Sequence, residues 1–253
     1  MNVPFRSEGK IALVTGAATG LGEAIAIALA AQGAHVAIAD KPGTSLAETR
    51  ALVEACGVKA LEVEMDIRDI AQIGAGVGRV ISAFGRIDIL VNNAGINRPS
   101  PGLEVSLENW DDHFATNVRG GFFVSQRVAP SMIANRWGRV IFISSQSGLV
   151  GIPGQPVYCS SKGAVIQLVR TLGVEWAKHG ITVNSVAPTF VETNLTRKRL
   201  GNPEFLGFVL GKIPVGRLAL PEEVAAAVVF LASGEAAMVN CATIPVDGGW
   251  TAW

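Results

Sequence analysis

Ile11-Ala-Leu-Val-Thr-Gly-Ala-Ala-Thr-Gly-Leu-Gly22 runs a β-type segment straight into a glycine-rich turn, and the turn into a helical pattern that continues to Gln32. Gly16, Gly20 and Gly22 let the main chain approach a polar group that side chains would hold away. The first turn of the following helix offers N–H groups without intrahelical partners and the positive end of its dipole. Together they form a seat for a pyrophosphate. The spacing is Gly-x3-Gly-x-Gly, longer than Gly-x-Gly-x-x-Gly, with Thr19 and Leu21 set among the glycines. Strand, glycine turn and helix in this order give the motif its nucleotide-binding reading, with an unliganded turn as the alternative.

Working outward, short Val- and Ile-rich runs recur at 11–15, 35–39, 61–65, 87–92, 139–144, 182–187 and 243–246, with helical patterns between them at 20–32, 45–55, 69–84, 107–135, 157–179 and 221–233. Continuous apolar runs suit strands covered on both faces. Regular β-α alternation predicts an α/β fold: one doubly wound parallel sheet of seven strands with helices on both faces, in a single domain spanning 1–253. The stretch 190–214 is long for a compact domain and reads as a lid or a pair of short helices at the substrate end.

Bulk properties narrow the function classes. Of 253 residues, 49% are hydrophobic, enough for a large core, and 21 basic residues balance 21 acidic ones. Zero net charge without a basic block gives nucleic acid no electrostatic footprint. The apolar stretches are too short to span a bilayer, and residues 1–9 carry no signal-peptide core. Cys56, Cys159 and Cys241 are scattered, and neither they nor His35, His113 and His179 stand at metal-ligand spacing, so no metal is expected. A reducing, cytoplasmic compartment is the corresponding expectation.

The second strand ends at Asp40, where a carboxylate accepts hydrogen bonds from an adenosine ribose and repels a 2′-phosphate. Lys41 follows, but Asp40 comes first, and NAD is expected over NADP. Asp66, after the third strand, faces the adenine or caps the next helix. Asn92-Asn-Ala-Gly95, after the fourth strand, is small enough to pass close to a bound cofactor, as are ordinary turns of this composition.

Tyr158 and Lys162 stand four apart, on one face of a helix. A free phenol titrates near ~10, and bringing it to about 7 takes roughly 4 kcal/mol, part of which a neighbouring cation supplies. Ser145 ends the fifth apolar run, and its hydroxyl both donates and accepts, so it stays bonded as alkoxide becomes carbonyl. Asn97, Arg98, Gln146, Ser147 and Gln155 lie on loops after strand ends, where polar groups read substrate hydroxyls or a carboxylate.

Thr-Gly-x3-Gly-x-Gly at 15–22, Asn-Asn-Ala-Gly at 92–95, Asn117, Ser145, Tyr158-x3-Lys162 and Val-Asp-Gly-Gly at 246–249 together resemble the short-chain dehydrogenase/reductase family over essentially the whole chain. The resemblance implies a Rossmann-like fold and a tetrad of Asn117, Ser145, Tyr158 and Lys162. In it Tyr158 is the general acid/base, Ser145 holds the reacting oxygen, Lys162 binds the nicotinamide ribose and depresses the Tyr158 pKa, and Asn117 anchors a relay water. It further implies cofactor contacts at Gly16, Thr19, Gly20, Leu21, Gly22, Asp40, Asp66, Ile67, Asn93, Ala94, Gly95, Tyr158, Lys162, Pro188, Val191 and Thr193, and a homotetramer. One departure stands out: the family's Pro-Gly is Pro188-Thr189 here, where Thr189 narrows the pocket, bonds a substrate hydroxyl, or is neutral. With Asn97, Ser147, Gln155 and Thr189 as substrate contacts, the expected substrate is a sugar, polyol or sugar-acid alcohol. A 3-oxoacyl thioester reductase and a non-catalytic nucleotide-sensing binding protein are the alternatives. The two indoles of Gly248-Gly-Trp-Thr-Ala-Trp253 suggest a subunit interface, Trp253 reaching a neighbour.

Overall fold

The computed structural model describes residues 5–193 and 196–252. The apolar runs form seven strands: β1 (Ile11–Thr15), β2 (His35–Asp40), β3 (Ala60–Glu64), β4 (Ile89–Asn92), β5 (Gly138–Ile143), β6 (Ile181–Pro188) and β7 (Thr243–Val246). They pair in the order β3-β2-β1-β4-β5-β6-β7, every pair parallel. β1, β4, β5 and β6 are buried along their whole length, which is why they read as unbroken apolar runs rather than alternating ones.

Strand pleating sends alternate side chains to opposite faces. Ala12 and Val14 of β1 join Ile25 and Leu29 of α1 (Gly20–Ala31) and Val224 and Val228 of α9 (Pro221–Ala232) in one core. Ile11 and Leu13 turn the other way, toward Ile73 of α3 (Ile70–Phe84), Val128 of α5 (Gly121–Asn135) and Val169 of α6 (Pro156–Trp176). α2 (Ala47–Ala55) flanks α1. Each fully buried Val, Leu or Ile side chain contributes roughly 1.5–3 kcal/mol, so these two layers carry the fold.

Strand order reverses at β1, which lies between β2 and β4. The turns after β1 and β4 therefore leave the sheet in opposite directions and open a crevice beyond the carboxyl ends. β4 starts two residues later than the pattern predicts. Asp88 already bonds through its main chain to Ile11 and Arg139, and its carboxylate adds bonds from the Ile11 N–H at 2.9 Å and from Arg86 Nε at 2.9 Å that tie the approach to β4 against β1.

The single helix expected over 107–135 is three segments: α4 (Leu107–Phe114), a π-helical turn (Ala115–Gly120) and α5. A π turn admits one residue more than the α-helix, and such turns gather at functional sites; Asn117 lies in this one. The 190–214 stretch holds two short helices, α7 (Arg197–Leu200) and α8 (Pro203–Lys212). They close a third small core of Ile152, Phe190, Leu200, Val209, Ile213 and Trp250.

Trp250 corrects the expectation of two interfacial indoles. It is buried in its own chain, against Phe190 and Phe208. Asp247 explains the fold-back: its carboxylate accepts from the Gly249 and Thr251 N–H groups and the Thr251 hydroxyl, which tightens the turn under the ring. Trp253 lies outside the described residues. No helix among the described residues is long and apolar enough to cross a membrane.

Candidate active site

One cavity of about 410 Å³ runs over the carboxyl ends of the strands, from Asp40 and Lys41 at one end to Ser145, Tyr158 and Lys162 at the other. Its glycine wall is tight by construction. Gly16 and Gly20 have φ of +64° and +65°. A Cβ on Gly16 would stand 2.8 Å from Ala94 Cα, and one on Gly22 only 2.0 Å from the Gly16 carbonyl oxygen. Asn93 ties the two turns together, its amide donating to the carbonyls of Thr15 at 3.0 Å and Gly16 at 2.9 Å. Thr19, at the N-cap of α1, makes no capping bond with its side chain, so it leaves the first-turn N–H groups uncapped. A volume within the range of small-ligand pockets, a glycine cradle and an uncapped helix start fit a nicotinamide dinucleotide.

Asp40 stands at the far end. One carboxylate oxygen accepts from the Ala18 N–H of the glycine turn at 3.1 Å, the other from the Lys41 N–H at 2.8 Å. The carboxylate thus braces the turn and keeps lone pairs for a ligand. Asp66 lines the same wall, in an ion pair with Arg68 at 2.7 Å that, as the main cause, lowers its pKa. The cap of α3 is Asp69, which accepts from the Ala71 and Gln72 N–H groups. Ile67, Asn93, Ala94, Gly95, Leu21, Pro188, Val191 and Thr193 also line the cavity.

At the near end the structure brings Ser145, Tyr158 and Lys162 onto one wall. Lys162 Nζ donates to the Ile143 carbonyl at 2.8 Å and lies 5.7 Å from the centre of the Tyr158 ring. Burial pulls its pKa down to about 8. The Tyr158 phenol is pushed up to about 12, first by burial, with the Ser145 hydroxyl acting against it. Burial thus acts on each group against its charged form, and opposes the lowering of the phenol that the resemblance implies. Reaching pH 7 from 12 is a task of about 7 kcal/mol, not the roughly 4 kcal/mol of a free phenol.

Ser145 is oriented by two neighbours. Its hydroxyl donates to Gln146 Oε1 at 2.9 Å and accepts from the Ser147 N–H at 3.1 Å. Gln146 and Ser147 are buried behind Ser145 and are not part of the cavity wall. Asn117 is also set back. Its side chain accepts from the Ile96 N–H at 2.8 Å and donates to the Ile96 carbonyl at 3.0 Å and to Ser161 Oγ at 3.0 Å. It pins the loop after β4 on both sides of one residue.

The substrate end holds Thr189 on the wall, 7% exposed, with its hydroxyl unpartnered among the described residues. Asn97 and Gln155, expected as substrate contacts, do not line the cavity: they meet each other through an Asn97 Nδ2 to Gln155 Oε1 bond of 2.8 Å, with Asn97 Oδ1 and Gln155 Nε2 buried and unpartnered among the described residues. Arg98 reaches the cavity but pairs with Asp112 at 2.5 Å. Sequence reasoning missed Met65, Arg68, Thr116, Ile143, Ser144 and Thr196 on the wall. Most flank residues it did single out, and adjacency to the motifs was the available signal.

A family model described as Enoyl-(Acyl carrier protein) reductase matches residues 16–251. D-threitol dehydrogenase of Mycolicibacterium smegmatis is 40% identical over 260 residues, covering 98% of this chain and 95% of that protein. The 3-oxoacyl-[acyl-carrier-protein] reductase FabG of Escherichia coli is 41% identical over 244 residues, covering 96% and 97%. Among solved structures, a gluconate 5-dehydrogenase from Burkholderia cenocepacia in complex with NADP and tartrate superimposes with a TM-score of 0.95 at 35% identity, covering 98% of each chain.

Proposed function

Because the chain belongs to the short-chain dehydrogenase/reductase family of oxidoreductases, we propose that it moves a hydride between NAD and a secondary alcohol on a sugar, polyol or sugar acid, with Tyr158 as general acid/base. One observation carries the reading: a single cavity joins the glycine turn and Asp40 to Ser145, Tyr158 and Lys162. The glycine turn, Thr19 and the start of α1 hold the pyrophosphate, Asp40 the adenosine ribose, and Lys162 the second ribose. When bound, the oxidised nicotinamide supplies the hydride-accepting carbon and a positive charge beside the phenol.

The protein's own residues handle the proton. Tyr158 takes the hydroxyl proton during oxidation and returns it during reduction. Ser145, aimed by Gln146 and Ser147, bonds the substrate oxygen in both of its states. The Lys162 ammonium keeps N–H groups beyond the one given to Ile143. Asn117 fixes the floor at Ile96 and, in this reading, anchors the relay water through the π turn.

A polar atom on the wall supports a hydroxylated substrate: Thr189 Oγ1, unpartnered among the described residues, waits for a partner that an alcohol with a single hydroxyl lacks. D-Threitol and gluconate, named for two relatives, are of that class. Exposed Leu103, Leu107 and Val174 around α4 and α6 support assembly as a homotetramer, which sedimentation tests. Arg197, in the basic stretch of α7, pairs with Glu192 at 3.6 Å, which weakens the case for a carrier-protein dock and for the thioester reductase.

The test is initial-rate cofactor reduction over sugars, polyols, sugar acids and simple secondary alcohols with NAD and NADP in parallel. Tyr158→Phe is expected to lose at least 10³-fold in kcat while keeping its cofactor affinity. Oxidation of no compound, with reduction of 3-oxoacyl thioesters by NADPH instead, would replace this reading.

A further inference from the structure

His113 is the one histidine with no exposed surface, and nothing in its sequence context marks it. Its partners fix its chemical form. Nδ1 lies 2.7 Å from the Asn109 carbonyl oxygen, which only accepts, so Nδ1 carries the proton. Nε2 accepts from the Arg98 N–H at 3.1 Å, so Nε2 keeps its lone pair. The ring is a neutral acceptor held in one tautomer.

The same helical face grips Arg98 at two further points. Asn109 Nδ2 donates to the Arg98 carbonyl at 3.2 Å, and Asp112 takes its guanidinium. One turn on, Asn117 holds Ile96 by both its N–H and its carbonyl. Positions 109, 113 and 117 step by four along α4 and the π turn, so the loop after β4 lies against one stripe of side chains. Opposite the loop is the reaction end. A Cβ on Gly95 would stand 3.5 Å from Lys162 Nζ, and the His113 ring meets the Tyr158 ring edge-on, with centroids 6.3 Å apart at 73°. Asn97, between the gripped residues, reaches Gln155.

We propose that His113 is a positioning residue: as an uncharged acceptor it fixes the register of the Ile96–Arg98 loop against Tyr158, and so sets where Ile96 and Arg98, which line the cavity, face the substrate. The proposal rests on the dehydrogenase reading for what the substrate is, but not for the clamp. A protonated His113 has no acceptor and turns an N–H toward the Arg98 N–H. The groups facing it are Arg98 and Asp112, together with Tyr158 and Lys162 from α6. Burial is the main cause that lowers its pKa; Arg98 and Lys162 oppose the charge and Asp112 favours it. The clamp therefore holds through neutral pH and opens only below the ordinary imidazole range.

Two variants and one spectrum test this. His113→Phe keeps the packing and removes the acceptor; His113→Gln restores an acceptor that does not titrate. His113→Phe should raise the substrate KM about tenfold or more with a smaller change in kcat and unchanged cofactor affinity. His113→Gln should recover most of the KM and lose the acid limb of kcat/KM. In ¹⁵N-histidine-labelled protein, with three histidines to assign, His113 should show the Nδ1–H tautomer at neutral pH. An Nε2–H tautomer, an unchanged KM in His113→Phe, or an acid limb that persists in His113→Gln would each overturn the proposal. A wild-type enzyme that turns over no hydroxylated substrate sinks the functional reading instead, and the tautomer still decides the clamp.

Discussion

Replacing Lys162 by Met should make the protein more stable while abolishing its chemistry. Met has nearly the length of the lysine stem and carries no charge. Burial takes the Lys162 pKa from 10.5 to about 8, a gap that corresponds to about 3 kcal/mol of cost for holding the ammonium in the folded state. Against this stands the charge-assisted hydrogen bond to the Ile143 carbonyl, whose loss costs about 2 kcal/mol. The net expectation is about 1 kcal/mol of stabilisation, or a rise in Tm of about 3 °C for a chain of this size. The sign with pH follows from linkage. Between the two pKa values the unfolded chain binds more protons than the folded one, so wild-type stability rises with pH across that window. The advantage of Lys162→Met is thus full below about pH 8 and fades toward 10.5. Urea unfolding of both proteins without cofactor, at intervals from pH 6 to 10, measures the difference. A variant less stable than wild type at pH 7, or a difference that stays flat across the range, would refute the desolvation argument.

Asp40→Ser removes the carboxylate that repels a 2′-phosphate, and the ratio of kcat/KM for NADP to that for NAD should rise about 100-fold in steady-state assays; no change would mean that Asp40 serves only the glycine turn through Ala18. Thr189→Val keeps the shape of a wall residue and deletes a buried hydroxyl that is unpartnered among the described residues. It should raise the substrate KM about tenfold and leave cofactor affinity unchanged, while thermal denaturation without ligand shows equal or slightly greater stability.

The elements that sequence placed well are those whose signal is local. β1 and β7 fall where their Val, Ile and Thr runs lie, and β2, β5 and β6 differ by a residue or two at their ends. The glycine turn was legible because three glycines at fixed spacing serve one steric purpose, as the 2.0 Å approach at Gly22 shows. What stayed hidden depends on partners distant in the chain. The π turn at Ala115–Gly120 barely disturbs the apolar periodicity, so 107–135 reads as one helix. The fold-back of Trp250 depends on how Asp247 closes a turn, and the role of His113 on an N–H fifteen residues earlier. The rise of the Tyr158 pKa comes from burial, which four-residue spacing does not report.

The opposed shifts of Tyr158 and Lys162 bear on how the proposed tetrad would work as a unit. Separately, each is a misfit: a phenol near 12 is a poor base at neutral pH, and an ammonium near 8 is close to losing its charge. A positive charge brought beside Tyr158 favours the phenolate, and the phenolate in turn holds the proton on Lys162. The buried wall that raises the cost in the protein by itself also lowers the effective dielectric, so these attractions are stronger there than in water. The same reasoning applies across the cavity. Thr189 keeps a buried hydroxyl on the wall unpartnered among the described residues, which costs about 1–3 kcal/mol until a substrate hydroxyl meets it. Sites built this way reject a ligand that lacks the hydroxyl far more strongly than an apolar pocket rejects a missing methylene. Both ends of the cavity are thus unfavourable in the protein by itself and become favourable with the right partner, which places selectivity in the same residues that weaken the fold.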